Sequence, residues 1–351
     1  MTQEPHQIPP DPSHKSDPYN PATAVLYGQF VEAAYTMYNA NPNNLRPPRS
    51  SDFPSGYHLA AWVLMQDFIF ESTGPTFYGF IAQSEADPNQ FILAIRGTSS
   101  WVEWWDDLNA IVLVPFKDLG TGLVGAGFAR IYDTLEVIAN PTGAAAAESA
   151  EPQSLKSAGG FSQQVAALVN RRAVAPQRAE AATPSTSIAV TAHSLGAALA
   201  TLYVLDNAYN ERIHNPTIYT FASPRVGDLT FARAFNALHL TSWRIDNLPD
   251  LVPYVPLGFT HVDTLQQYDS LLKVWPSPAC WHALTTYLSL IDPKLQPSAA
   301  CQLPELAAAT ALVARPAAPE LARAAAPAPT TLSIPAGPVT INITINVGAR
   351  E

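Results

Sequence analysis

The sequence predicts an α/β protein built on a mixed, mostly parallel central sheet with flanking helices, and three observations carry that prediction. Of the 351 residues, 47% are hydrophobic and only 14% charged, enough apolar material for one large buried core. From residue 187 onward, strand-like and helix-like segments alternate, the order that crossover connections impose on a parallel sheet. At the head of that alternation, a short apolar run ends in Thr191-Ala192-His193-Ser194-Leu195-Gly196 and turns directly into an Ala- and Leu-rich helix.

Taken in order, residues 1–20 are rich in Pro, Asp and Ser and read as a disordered tail. The folded domain is expected over residues 21–300. It opens with a helix over 23–38, whose Leu26, Phe30, Ala33, Ala34 and Met37 share one face. Three strands follow over 58–65, 77–82 and 91–95, punctuated by Ser72-Thr73-Gly74-Pro75 and Asp87-Pro88-Asn89. Apolar spacing predicts a helix over 127–138. Residues 140–186 form an Ala/Pro-rich surface insertion, interrupted by a helical face of Phe161, Val165, Leu168 and Val169. Then come a strand over 187–191, a helix over 198–208, a strand over 217–221, a helix over 229–238 and a strand over 242–245. Residues 301–351 are an Ala/Pro-rich linker and a C-terminal amphipathic strand. Within 339–347, Val339, Ile341, Ile343, Ile345 and Val347 fall on one face, suited to docking on the domain's own edge or to an oligomer contact.

Composition excludes several functions. Nineteen basic residues against 29 acidic ones give a formal charge of −10, the wrong sign for nucleic acid. No apolar run is long enough for a transmembrane helix, and the polar start lacks a secretory leader, so a cytoplasmic location is expected, with leaderless export left open. Cys280 and Cys301 match no zinc spacing and are either two thiols or one disulfide; the leaderless start favours reduced thiols. No cluster of ligands implies a metal or an organic cofactor.

The chemistry centres on Ser194. A nucleophile on a strained strand-to-helix turn needs small residues two positions to either side, and Ala192 and Gly196 supply them. Its neighbour His193 points elsewhere and reads as a packing or hydrogen-bonding residue. A serine hydroxyl needs a base, and the base needs an acid to hold its tautomer. In this architecture the acid and then the histidine follow the serine in the chain. The acids at strand ends are Asp246 and Asp250; His214 and His239 precede both, which leaves His261 and His282.

Four blocks, taken together, make the chain similar to the class 3 lipases, the fungal triacylglycerol lipases with their plant and bacterial relatives. They are Ala94-Ile95-Arg96-Gly97-Thr98-Ser99-Ser100, the segment around Ser194, Phe221-Ala222-Ser223-Pro224-Arg225-Val226-Gly227-Asp228, and Asn247-Leu248-Pro249-Asp250-Leu251-Val252-Pro253. The resemblance covers residues 23–290 and implies an α/β-hydrolase fold with a short helical lid. It selects Asp250 over Asp246 as the acid. It also selects His282 over His261, whose segment resembles a structural one; the 32 residues from Asp250 to His282 leave room for a further strand and a return to the site. The oxyanion donors it implies are the backbone N–H of Leu195 and Thr98, with Asp107 bracing Thr98. Trp101, Trp104, Trp105 and Leu108 lie on one helical face, placed as the lid by the resemblance and otherwise an ordinary buried helix. One departure stands out: Val124-Gly125-Ala126-Gly127-Phe128 lacks the histidine its relatives carry.

The expectation is therefore a serine hydrolase of carboxylic esters, most of all acylglycerols met at an oil–water interface, acting through an acyl-enzyme without cofactor. The alternatives are a non-lipolytic carboxylesterase of feruloyl or phospholipase A1-like type, and an inactive hydrolase-fold scaffold that binds through its C-terminal strand.

Overall fold

Apolar residues that alternate along neighbouring extended segments bury themselves by pairing, and among the described residues the pairing makes one sheet of nine strands. The computed structural model describes residues 17–66, 74–98, 112–141, 151–172, 186–210, 213 and 216–304. The strands β1 (Tyr57–Gln66), β2 (Pro75–Ser84), β3 (Gln90–Ile95), β6 (Glu136–Ala139), β7 (Gln153–Ser154), β8 (Ser187–His193), β9 (Thr217–Phe221), β10 (Ser242–Asn247) and β11 (Thr264–Tyr268) stand in the order β11-β10-β9-β8-β3-β2-β1-β6-β7. From β3 to β11 neighbouring strands run parallel. From β3 to β7 they run antiparallel. Two short strands, β4 (Leu113–Pro115) and β5 (Leu123–Gly125), pair separately.

Helices cover both faces. On one side lie α1 (Pro21–Ala40) and α7 (Leu284–Ile291); on the other lie α2 (Ala126–Tyr132), α3 (Phe161–Arg172), α4 (Leu195–Tyr209) and α5 (Leu229–Asn236). The two-residue period of a strand splits β3 between them: Phe91, Leu93 and Ile95 pack with α4, while Ile92 and Ala94 pack with α1. In β1 that alternation breaks at Ala60-Ala61, which share a face where the register with β2 shifts. Asn20 caps α1, its side chain accepting from the N–H groups of Ala22 and Thr23, with Pro21 at the first helical position.

One expected element is corrected. The helix foreseen over 127–138 ends at Tyr132, and Glu136–Ala139 is strand β6, paired with residues 61–64 of β1. Asp133, Thr134 and Leu135 make the turn, with the Thr134 hydroxyl donating to the Ile131 carbonyl at 2.7 Å. An apolar run is ambiguous between helix and strand, and β-branched Val137 and Ile138 suit the pleated edge of β1. The region expected to be a surface insertion contributes β7 and a buried Leu155 to the fold. The C-terminal strand expected over 339–347 lies outside the described residues.

Cys280 and Cys301 form a disulfide, with Cα atoms 5.2 Å apart, correcting the expectation of reduced thiols. The short helix α6 (Pro278–His282) turns Cys280 onto residues 299–301, and the Trp275 N–H donates to the Cys301 carbonyl at 2.8 Å. Sequence spacing cannot show that convergence. The bridge closes a 21-residue step. Replacing Cys301 by Ser should therefore lower the unfolding free energy by about 3 kcal/mol through added chain entropy. Urea denaturation of oxidised wild type and Cys301→Ser reads this directly; coincident curves would contradict a structural bridge.

Candidate active site

Strand β8 ends at His193 and α4 begins at Leu195, so Ser194 must reverse the chain in a single residue. It does so at φ 57° and ψ −127°, a conformation that side chains other than glycine rarely adopt. The surroundings hold it there. The Ser194 N–H donates to the Phe221 carbonyl at 3.0 Å, and its carbonyl starts α4 by accepting from Ala197 at 2.9 Å. A Cβ at Gly196 would lie 2.4 Å from the Arg96 carbonyl oxygen, so only glycine lets α4 approach β3 this closely. Glycine is equally required at Gly97, where a Cβ would fall 2.7 Å from the Ser194 Cβ.

The two positions expected to donate to an oxyanion are Leu195 and Thr98. Leu195 stands in the first turn of α4, where backbone N–H groups have no partner within the helix and the helix dipole favours negative charge. Thr98, just past β3, is buried, and its hydroxyl has no hydrogen-bond partner among the described residues. Asp107, expected to brace it, lies outside the described residues, as do Trp101, Trp104 and Trp105 of the expected lid.

The histidine arrives from the far end of the domain. His282 closes α6 and places Nε2 2.8 Å from the Ser194 Oγ. Its Nδ1 lies 2.8 Å from Asp250 Oδ2, and both side chains are buried. Asp250 follows β10; its Oδ1 accepts the Val252 N–H at 3.0 Å, and its Oδ2 also accepts the Tyr287 hydroxyl at 2.7 Å. Burial, reinforced by the Asp250 charge, holds the Tyr287 phenol far above its usual range, so it stays protonated and donates. The Tyr287 oxygen in turn accepts the Asn247 N–H at 3.1 Å, while the Asn247 amide donates to the Trp281 carbonyl at 2.7 Å. Asn247 thus stitches the acid's loop to the histidine's helix.

Tyr287 and Asn247 were not singled out in the sequence. A polar aromatic on the apolar helix that follows His282 was the available signal for Tyr287; Asn247 carried none.

The competing residues lie elsewhere. Asp246 is ion-paired with Arg244, and burial pushes its carboxyl up to about 6. His261 bonds the Pro253 carbonyl, and burial followed by the nearby Arg244 charge pushes it down to about 3. Gly125 ends β5 and donates to the Val226 carbonyl at 3.0 Å.

A serine on a strand-to-helix elbow of an α/β sheet stands here bonded in line to a histidine and a carboxylate, the geometry that a nucleophile, a base and an orienting acid require. Residues 92–259 match the family Lipase (class 3). Phospholipase A1-II 3 of Oryza sativa subsp. japonica is 34% identical over 326 residues, covering 76% of this chain and 72% of that protein. Phospholipase A1-II 1 of Oryza sativa subsp. indica is also 34% identical, over 212 residues that cover 56% of this chain and 48% of the relative, so the match spans only half of that protein's length. The chain belongs to the class 3 lipase family. The solved lipase of Rhizopus microsporus var. chinensis shares the fold, with a TM-score of 0.52 at 19% identity over 76% of this chain and 81% of that one.

Two outcomes follow from these contacts. Tyr287→Phe strips a donor from a buried carboxylate oxygen and an acceptor from the Asn247 N–H, at a cost of about 1–3 kcal/mol in stability; urea midpoints check it. His261 has a folded pKa below its unfolded one, so the unfolded chain binds the proton more readily and stability is lost as pH falls from the ordinary histidine value toward about 3. His261→Gln should flatten that slope in urea titrations across this window, against the opposite trend from Asp246, whose raised pKa favours the fold on acidification.

Proposed function

We propose that this chain hydrolyses the acyl esters of lipids, with Ser194 as nucleophile, His282 as proton shuttle and Asp250 as the carboxylate that orients it. The observation that supports this most is the buried chain Ser194 Oγ, His282 Nε2, His282 Nδ1, Asp250 Oδ2, with 2.8 Å at each link. His282 takes the Ser194 proton as Oγ attacks the ester carbonyl, and Asp250 stabilises the imidazolium that forms. The carbonyl oxygen, now negative, is received by the Leu195 N–H and by Thr98, whose buried hydroxyl has no hydrogen-bond partner among the described residues. Collapse returns the proton to the leaving alcohol, and water repeats the sequence on the acyl-enzyme.

Surface chemistry favours an apolar acyl chain. The loops that follow β10 and β11, which also carry Asp250 and lead to His282, expose Leu251, Leu271 and Trp275 by about half, Leu257 by 78% and Leu272 by 87%. Exposed apolar groups of this density around a site suit a lipid aggregate better than a dissolved ester. The relatives named phospholipase A1 favour a glycerophospholipid over a triacylglycerol as the substrate. Triacylglycerol remains the second reading, on the family match.

The decisive assay offers p-nitrophenyl esters from acetate to palmitate, vesicles of 1-palmitoyl-2-oleoyl phosphatidylcholine, and emulsified triolein to wild type, Ser194→Ala and His282→Ala. Long chains should be preferred, palmitate should leave the vesicles ahead of oleate, and each variant should lose on the order of 10⁴- to 10⁶-fold in kcat. Activity on triolein alone would select the acylglycerol reading. Turnover confined to acetate would replace both by a short-chain esterase.

A further inference from the structure

We propose that Tyr35 and His193 form a buried strut that holds the oxyanion arm, the nucleophile elbow and the main chain of the general base at a fixed separation, acting as positioning residues for the reaction. This rests on the hydrolase reading above. Neither residue touches the Ser194 hydroxyl, and α1, which carries Tyr35, contributes nothing to the triad. Yet three hydrogen bonds run through the pair. The Gly97 N–H reaches the Tyr35 oxygen at 2.8 Å, the Tyr35 hydroxyl lies 2.8 Å from His193 Nδ1, and His193 Nε2 lies 2.9 Å from the His282 carbonyl. Gly97 adjoins Thr98, His193 adjoins Ser194, and His282 is the base, so one line of contacts joins all three working loops.

The chemistry of each atom gives the line a single direction. A carbonyl oxygen can only accept, so His193 must carry its proton on Nε2. Burial holds the His193 ring far below its usual pKa, hence neutral, with a bare Nδ1. That nitrogen must accept from the Tyr35 hydroxyl, which burial keeps protonated. The Tyr35 oxygen is then left to accept from Gly97. Every donor is used once, and reversing any link would set two donors or two acceptors against each other.

The neutral ring has a second consequence. The centroids of His193 and His282 are 4.7 Å apart. During catalysis His282 becomes a cation, and a charged neighbour at this distance would oppose it. A ring locked in one neutral tautomer supports the His282 backbone without that repulsion.

The test compares Tyr35→Phe, His193→Leu, the double variant and His193→Gln, on a soluble p-nitrophenyl ester and in the rate of Ser194 phosphonylation by a p-nitrophenyl phosphonate, with thermal unfolding as the folding check. Displacing catalytic groups by a fraction of an ångström should lower kcat and phosphonylation together by about 10- to 100-fold with KM nearly constant. The double variant should be no worse than the poorer single one, because one line is broken in each. His193→Gln, which keeps an uncharged donor for the His282 carbonyl and an acceptor for Tyr35, should recover most of the loss. Multiplying losses, a change confined to KM, or no rescue by Gln would overturn the strut. Independently of activity and of any variant's folding, 15N NMR of histidine-labelled wild type should show His193 neutral and protonated at Nε2 between about pH 5 and 8, where an ordinary histidine changes charge. A titrating ring, or a proton on Nδ1, overturns the hydrogen-bond line itself. A wild type that neither cleaves esters nor takes up the phosphonate overturns the hydrolase reading, and the positioning role with it, while the NMR result still judges the line of contacts.

Discussion

The candidate site depends on how closely the end of β3 approaches the turn after β8. Ile95 pairs with Ala192, and the next residues on each strand, Arg96-Gly97 and His193-Ser194, leave their strands side by side. Glycine at 97 and 196 lets the two backbones nearly touch, since any side chain at either position would meet the Ser194 Cβ or the Arg96 carbonyl. This proximity brings the end of β3, which leads into Thr98, beside the start of α4. It also explains why Ser194 tolerates a strained backbone: packing on every side over-determines it.

A polar group held in so dry a place costs free energy unless it finds a partner. Arg96 is buried at the core of the arrangement. Its guanidinium donates to the Phe77 carbonyl at 2.8 and 3.0 Å and to the Gly97 carbonyl at 2.7 Å, and lies between the rings of Tyr38 and Tyr78 at 3.6 and 4.2 Å. It thereby ties β2, α1 and the arm that carries Thr98. On the other side, Tyr287 and Asn247 do the same for Asp250 and the helix of His282. The line from Ser194 through His282 to Asp250 is thus part of a larger set of buried hydrogen bonds, and the helices α1 and α7 on one face of the sheet supply much of it.

Regular elements were legible wherever burial imposes a period. Phe161, Val165, Leu168 and Val169 mark α3 because one side of that helix meets the sheet, and all four are buried. Where burial is weak or two-sided, the period disappears. Strand β11 reads Thr264-Leu265-Gln266-Gln267-Tyr268 and is mostly exposed, since among the described residues it is an edge strand paired only with β10; nothing in its pattern announces it. Residues 136–139 could equally have continued α2, and the open edge of β1 made them a strand.

The sequence by itself determined the elbow, because the steric demand at Ala192, Ser194 and Gly196 is local and leaves its mark on consecutive residues. Family resemblance, again a matter of local blocks, selected Asp250 and His282 from among the acids and histidines that chain order allowed. Tertiary structure alone decided which side chains hold those groups in place. Tyr35 lies 158 residues from His193, and Tyr287 lies 37 from Asp250. Cys280 meets Cys301 only once α6 has turned. A hydrogen bond between distant residues imposes no spacing on the chain, so its partners become visible only when the sheet and its two helical layers bring them together.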